Sequence, residues 1–119
     1  MVELFGRNGS LQVSANHEHN WSQVTLHLGE HMTLLGADTF EVVKARLLNA
    51  VKPTLEGSWM DWGNKKVLFV LSLGEQHGSI YATELGGLRV LLCMSSKGQC
   101  IGQLKLTDAD CQRWREQLC

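Results

Sequence analysis

Most of the features that assign a protein to a functional class are missing from this chain of 119 residues. No apolar run approaches the roughly 20 residues needed to cross a bilayer. The longest, Val67 to Leu73 and Leu88 to Met94, suit strands. The opening Met1-Val2-Glu3-Leu4-Phe5-Gly6-Arg7 lacks the basic start and long apolar core of a signal peptide, so the expectation is a cytoplasmic protein with no membrane contact. Charge of one sign is missing too. Eleven lysines and arginines face 12 aspartates and glutamates, a formal net charge of -1. Such a balance produces no global field to draw in nucleic acid or an anionic membrane.

Motifs for standard nucleotide binding are also lacking. Neither Gly-x-Gly-x-x-Gly nor a P-loop ending is present, and no alternating strand-helix-strand order supports one. The serines at 10, 14, 22, 58, 72, 79, 95 and 96 have no Gly-x-Ser-x-Gly setting, and no cysteine stands beside a histidine. Cys93, Cys100, Cys111 and Cys119 contain no Cys-x-x-Cys pair, so their spacing does not make a metal site. Cys93 and Cys100, among apolar neighbours, read as small core residues with reduced thiols. No catalytic set, cofactor or metal is assigned, and the chemistry points away from an enzyme.

What is present is a globular composition, 44% apolar and 19% charged. Val2 to Phe5 leads through the turn signal Gly6-Arg7-Asn8-Gly9 into Leu11-x-Val13-x-Ala15, and Val24-x-Leu26-x-Leu28 repeats the period of two, predicting half-buried strands. A short strand over Met32 to Leu35 is expected to end at Gly36. Asp38, three residues before Glu41, opens a run with Phe40, Val43, Leu47 and Val51 on one face, predicting a capped helix over 39–51 that the single proline, Pro53, terminates. From Thr54 to Leu106 strands alternate with glycine-rich turns at 63–66, 74–78, 86–87 and 95–98, a meander. Thr107-Asp108-Ala109-Asp110 then caps a helix over 108–118 anchored by Trp114. With no linker or low-complexity tract, residues 1–119 read as a single α+β domain: a curved, mostly antiparallel sheet of about seven to nine strands with two short helices.

Val67-Leu68-Phe69-Val70-Leu71 and Leu88-Arg89-Val90-Leu91-Leu92 are apolar at both parities, so both faces of the sheet are covered there. Together with four tryptophans this predicts a homodimer. The segment His17-Glu18-His19-Asn20-Trp21-Ser22 predicts an exposed hairpin tip, and His17, His19 and Trp21 are candidate partner-contact residues. His-x-His with a third histidine from the next strand is one route to a zinc site, which leaves the His17–His31 region as the candidate for a small enzyme or ligand-binding domain. Parity argues against shared ligation, because His17 and His19 fall on the core side with Leu11, Val13 and Ala15 while His27 falls on the other. Trp59 and Trp62, three apart on a strand, point to opposite faces and are the other partner-contact candidates.

The first functional expectation is therefore a non-catalytic interaction or adaptor protein, inhibitor- or immunity-like, acting on a protein partner. A second follows from the element order. Several strands closed by one capped helix, taken twice, is similar to the order in Whirly-type single-strand nucleic-acid binders. This likeness of topology, with no motif behind it, implies single-stranded DNA or RNA. Lys65, Lys66, Arg89, Lys97 and Lys105 are the candidate basic stripe beside the aromatics.

Overall fold

The computed structural model describes residues 2–16, 18–73 and 77–119. Four strands, a helix, five strands and a second helix follow in that order. β1 (Val2–Phe5), β2 (Ser10–Asn16), β3 (Trp21–Leu28) and β4 (His31–Thr39) form one antiparallel sheet in sequence order. β5 (Trp59–Trp62), β6 (Lys65–Ser72), β7 (Ser79–Leu85), β8 (Leu88–Met94) and β9 (Cys100–Leu106) form a second, also as a meander. α1 (Phe40–Ala50) follows the first sheet and α2 (Asp108–Leu118) the second. The class, the antiparallel pairing, the meander and both helices agree with the sequence reading. The nine strands, however, divide between two hydrogen-bonded sheets.

The period of two sets the inner face. Leu11 and Val13 pair with Leu26 and Val24, and all four are buried. In the second sheet Leu68, Ala82, Leu91 and Leu104 stand in one cross-strand row facing the same core. α1 packs on β6, β4 and β3, α2 on β1, β8 and β9, and the helices touch each other. Trp114 is fully buried, and its indole N–H donates to the Phe5 carbonyl at 2.8 Å. The largest side chain of α2 thus docks by apolar area and leaves no polar atom unpaired.

Two local expectations are corrected. β4 does not stop at Gly36: its register shifts so that Val24 faces Gly36 while Thr25 faces Leu34, leaving Leu35 as a bulge. Gly36 has φ 149°, and a Cβ there would lie 2.6 Å from Leu73 Cβ, so only glycine lets β4 approach the end of β6 this closely. Nor does Asp38 cap α1. Thr39 does, with extended backbone and its hydroxyl accepting from Val42 N–H, while Asp38 accepts from Thr39 N–H at 2.6 Å.

The sheets are joined at both sides. Arg7 N–H donates to the Lys105 carbonyl at 2.7 Å, and the Asn8 carboxamide donates to the Gln103 carbonyl at 2.7 Å and accepts from Lys105 N–H at 2.9 Å. The β1–β2 turn therefore extends the edge of β9 as a short strand would. At the far side Gly78 N–H donates to the Leu35 carbonyl at 2.7 Å.

α1 ends without a basic residue in its last turn, and its carbonyls need donors. Arg89 of β8, buried, supplies them: Nη1 donates to the Ala50 and Lys52 carbonyls at 2.9 and 2.7 Å, and Nη2 to the Pro53 carbonyl at 3.3 Å and to Glu84 Oε1 at 2.8 Å. Arg115 of α2 donates to the Val51 carbonyl. Replacing Arg89 by Ala strands these carbonyls in the interior, and the expected loss is about 3 kcal/mol in a urea melt. Arg89→Lys is expected to recover only part of it, because a single ammonium cannot reproduce the fork. A loss under about 0.5 kcal/mol would contradict the clamp.

Asp110 completes a capping box at the start of α2, accepting from Thr107 N–H at 2.9 Å while its own N–H donates to the Thr107 hydroxyl at 3.1 Å. Arg7 Nε lies 3.1 Å from the same carboxylate, and Arg113 bonds its other oxygen. Burial works to raise the Asp110 pKa, but the Thr107 bonds and the two guanidinium groups outweigh it and hold the carboxyl below its ordinary value of 3.8. The folded state thus favours the ionised form, so this stability is complete above the ordinary aspartate range and is lost as pH falls through the lowered folded value. Asp110→Asn is expected to cost about 1–2 kcal/mol at neutral pH and to flatten the acid limb of a stability–pH profile.

Candidate functional site

While the outward face of the first sheet exposes Phe5, Met32 and Leu34, the face of the second sheet turned away from the core gathers a cluster of aromatic side chains. Parity puts Met60, Trp62, Lys65, Val67, Phe69, Tyr81, Val90, Leu92 and Lys105 there, on five neighbouring strands. Val67, Val90 and Leu92 are buried and, with Tyr81 against them, make a small second apolar cluster. Phe69 meets Tyr81 edge-on at 5.7 Å between centroids and 69°, and Trp62 lies tilted to Tyr81 at 6.4 Å and 58°. These geometries let ring edges meet ring faces favourably. The both-parity apolar pattern of β6 and β8 is thereby explained within one chain: the helices and the other sheet cover one face, and an aromatic layer covers the other.

That layer is only half covered itself. Met60 is 48% exposed, Trp62 41% and Phe69 38%. The β5–β6 hairpin leans across the face, so that Trp62, Asn64 and Lys65 bound a groove of about 260 Å³ with Leu92 and Gln103. A second groove of about 250 Å³ runs between Met60, Trp62, Tyr81, Met94 and Gly98. On the other side of the hairpin, Trp59, 46% exposed, borders a wider depression with Thr54, Lys66 and Glu84. Trp59 and Trp62 do point to opposite sides of the sheet, and both are half exposed.

The candidate cations are divided by the fold. Lys65 and Lys105 share the outer face with the rings. Lys97 is exposed in the β8–β9 turn, and Lys66 pairs with Asp61 on the inner side of the hairpin. Arg89 pairs with Glu84 and Leu106 on the core side, and its buried guanidinium is engaged at the end of α1, so it is not presented beside the aromatics. The sequence reading took Arg89 for a surface cation because its burial depends on a helix terminus 39 residues away.

Among the described residues the histidines of the His17–His31 region do not come together. His17 lies outside the described residues. His19 is exposed in the turn that joins β2 to β3, beyond the end of either strand, and Trp21 is 46% exposed at the start of β3. His27 and His31 stand at the other end of β3 and the start of β4, about 20 Å along the strand at 3.3 Å per residue. Among the described residues no three His, Cys, Asp or Glu side chains are grouped as metal ligands. On the outer face of the first sheet Ser10 lies opposite His27, but its hydroxyl donates to Glu3 Oε1 at 3.1 Å while His27 Nε2 has no partner among the described residues. A serine whose proton is directed at a carboxylate, with no bond to the imidazole, is not an activated nucleophile.

Sequence reasoning missed Met60, Phe69 and Tyr81. The signal was present in the both-parity apolar run around Phe69 and in the single tyrosine on the next strand, but it was read as burial by a second subunit. Compared with known protein families, with curated proteins and with solved structures, the chain matches none.

The thiols sort by burial. Cys93 is fully buried, and burial, with Cys100 nearby, pushes its pKa up to about 12. Burial likewise raises that of Cys111. Cys100 and Cys119 are exposed, which corrects the reading of Cys100 as a core residue: it lies at the edge where β9 begins. In a native thiol titration at pH 8 two groups are expected to react promptly and two only on unfolding. Rapid modification of all four would contradict the burial of Cys93 and Cys111.

Proposed function

We propose that this protein is a non-catalytic interaction protein, of the inhibitor, immunity or adaptor kind, that binds a protein partner through the outer face of its five-stranded sheet. One observation carries the reading: Met60, Trp62 and Phe69, all more than a third exposed, lie together on a rigid sheet over a buried apolar floor. Partly covered aromatics on a preorganised support are the composition and geometry of interface hot spots, where a few side chains supply most of the binding energy. A meander fixes such side chains at low entropic cost, because their rotamers are already restricted by packing. Trp21 and His19 offer a smaller surface at the far end of the first sheet. Self-association through the aromatic face is the homodimeric form of the same reading, and a cytoplasmic setting belongs with it.

Single-stranded nucleic acid is the second reading, favoured by the placement of Lys65 and Lys105 on the same face as Trp62 and Phe69. Rings and cations together are what base stacking and phosphate contact require. Against it stand the formal net charge of -1 and the tilted ring packing, which turns Phe69 and Tyr81 toward each other.

The deciding experiment captures the tagged protein from its host lysate with and without nuclease, beside a Trp62→Ala, Phe69→Ala double variant. Both side chains lie outside the main core, so the variant is expected to fold, which circular dichroism checks. A stoichiometric protein partner that survives nuclease and falls by about tenfold or more in the variant is the expected result, since truncation of two hot-spot residues costs about 2 kcal/mol or more. Recovery abolished by nuclease would overturn it in favour of nucleic acid, and sedimentation of the free protein separates the homodimeric form.

A further inference from the structure

We propose that the surface which the two halves of this protein present to each other also takes a second copy of the chain: residues 2–53 of one copy pack on residues 59–118 of another, with 54–58 as the hinge of an exchanged dimer. Such a dimer uses none of the outer aromatic face and is independent of any partner bound there.

The halves fit each other reciprocally. Each runs through an antiparallel meander to a helix of 11 residues capped by a threonine hydroxyl, Thr39 for α1 and Thr107 for α2. α1 packs on β3 and β4, the last strands of its own half, and on β6 of the other. α2 packs on β8 and β9, the last of its own half, and on β1 of the other. The turns repeat the relation. Arg7 N–H, between β1 and β2, donates to the Lys105 carbonyl of β9 at 2.7 Å, and Gly78 N–H, between β6 and β7, donates to the Leu35 carbonyl of β4 at 2.7 Å. Each helix thus helps to cover the opposite sheet, and each half closes the last strand of the other. One apolar core is drawn from both, from Leu11, Val24 and Leu47 as from Leu68, Leu91 and Trp114. Separated, either half exposes the inner face of its sheet to water, so it needs a partner of this one shape.

The covalent tie between the halves is slight by comparison. Arg89 holds the Lys52 and Pro53 carbonyls at the end of α1. Over 54–58, among the described residues, one hydrogen bond is made, from Phe69 N–H to the Ser58 carbonyl, and only Leu55 is buried. Gly57 has φ 144°, a conformation that residues with a side chain rarely adopt, so the path that closes the chain on itself depends on glycine there. If 54–58 extends instead, and a second copy does the same, every contact between halves is restored, because those contacts are the same whether the halves belong to one chain or to two. Reciprocal exchange leaves no half unmatched and ends at two copies. The tether of the closed chain acts as an effective concentration of about millimolar, so exchange competes when chains fold together near that concentration.

The test refolds the full chain from urea at about 1 mM and at about 1 μM and reads the products by sedimentation. A dimer is expected at the higher concentration and a monomer at the lower. When a nitrogen-labelled and a carbon-labelled chain are refolded together, the dimer is expected to show nuclear Overhauser contacts between the Trp114 indole N–H of one chain and Phe5 of the other, a contact that the closed chain makes within itself. Gly57→Ala strains the closed hinge in both copies, and the dimerisation constant is expected to rise by about tenfold or more. Inserting Gly-Ser-Gly after Gly57 relaxes the closed hinge and is expected to lower it. Monomer alone at about 1 mM, in the wild type and in Gly57→Ala, overturns exchange. So does a dimer whose interchain contacts fall at Trp62 and Phe69, which is association through the aromatic face. The Trp62→Ala, Phe69→Ala variant is expected to exchange as the wild type does, so failure of the aromatic-face reading and failure of exchange are read separately.

Discussion

The carboxyl end of α1 is the point on which the two halves of the molecule turn. The chain must leave the first sheet there, cross through residues 51–58 and begin the second, and it does so where a helix presents a concentration of unpaired carbonyls. Among the described residues the local donor is the Val51 N–H, which meets the Leu48 carbonyl alone. The other donors come from Arg89 on the second sheet and Arg115 on the second helix. The same bonds that finish α1 therefore hold β8 and α2 against it, and Glu84 at the neighbouring position balances the buried guanidinium. Because these contacts join residues far apart in sequence, the end of α1 is completed only when the second half has folded.

The same economy of long-range polar contacts governs the sheet edges. A turn closes β9, side chains of α2 close β1, and a glycine-permitted approach closes β4 at its bulge. These devices lock the sheets together and also suppress edge-to-edge pairing. β5 lies outside the set. It belongs to the hairpin whose end shares grooves with the outer aromatic face.

The sequence made legible most of what depends on local pattern: the period of two in β2 and β3, the apolar stripe of both helices, the cap of α2, and the turns of the second half. Asp38 was read as the cap because Glu41 stands three residues after it, a spacing that Thr39, followed at that distance by Val42, lacks; the backbone nevertheless puts the cap at Thr39. Arg89 was misjudged for a different reason. A lone arginine in an apolar strand reads as a surface cation unless the helix terminus it serves is known, and that terminus is reached only through tertiary packing. The second apolar cluster was seen correctly as burial on both faces of β6 and β8, but was given to another subunit. The aromatics that cover it, Trp62, Phe69 and Tyr81, lie on three different strands, and no sequence spacing brings them together.

The half-covered state of that cluster is what distinguishes it from a second core, and it is the ground on which a binding surface is proposed. Val67, Val90 and Leu92 are shielded from water, but the rings above them are not, and each ring has already given up much of its rotational freedom by leaning on its neighbours. Further covering therefore removes apolar area from water with little additional ordering. A flexible aromatic loop of the same composition would lose more entropy on binding and gain less. Among the described residues the groove beside Trp62 is bounded by Lys65, Asn64 and Gln103 as well as by Leu92, so polar groups rim the apolar floor there.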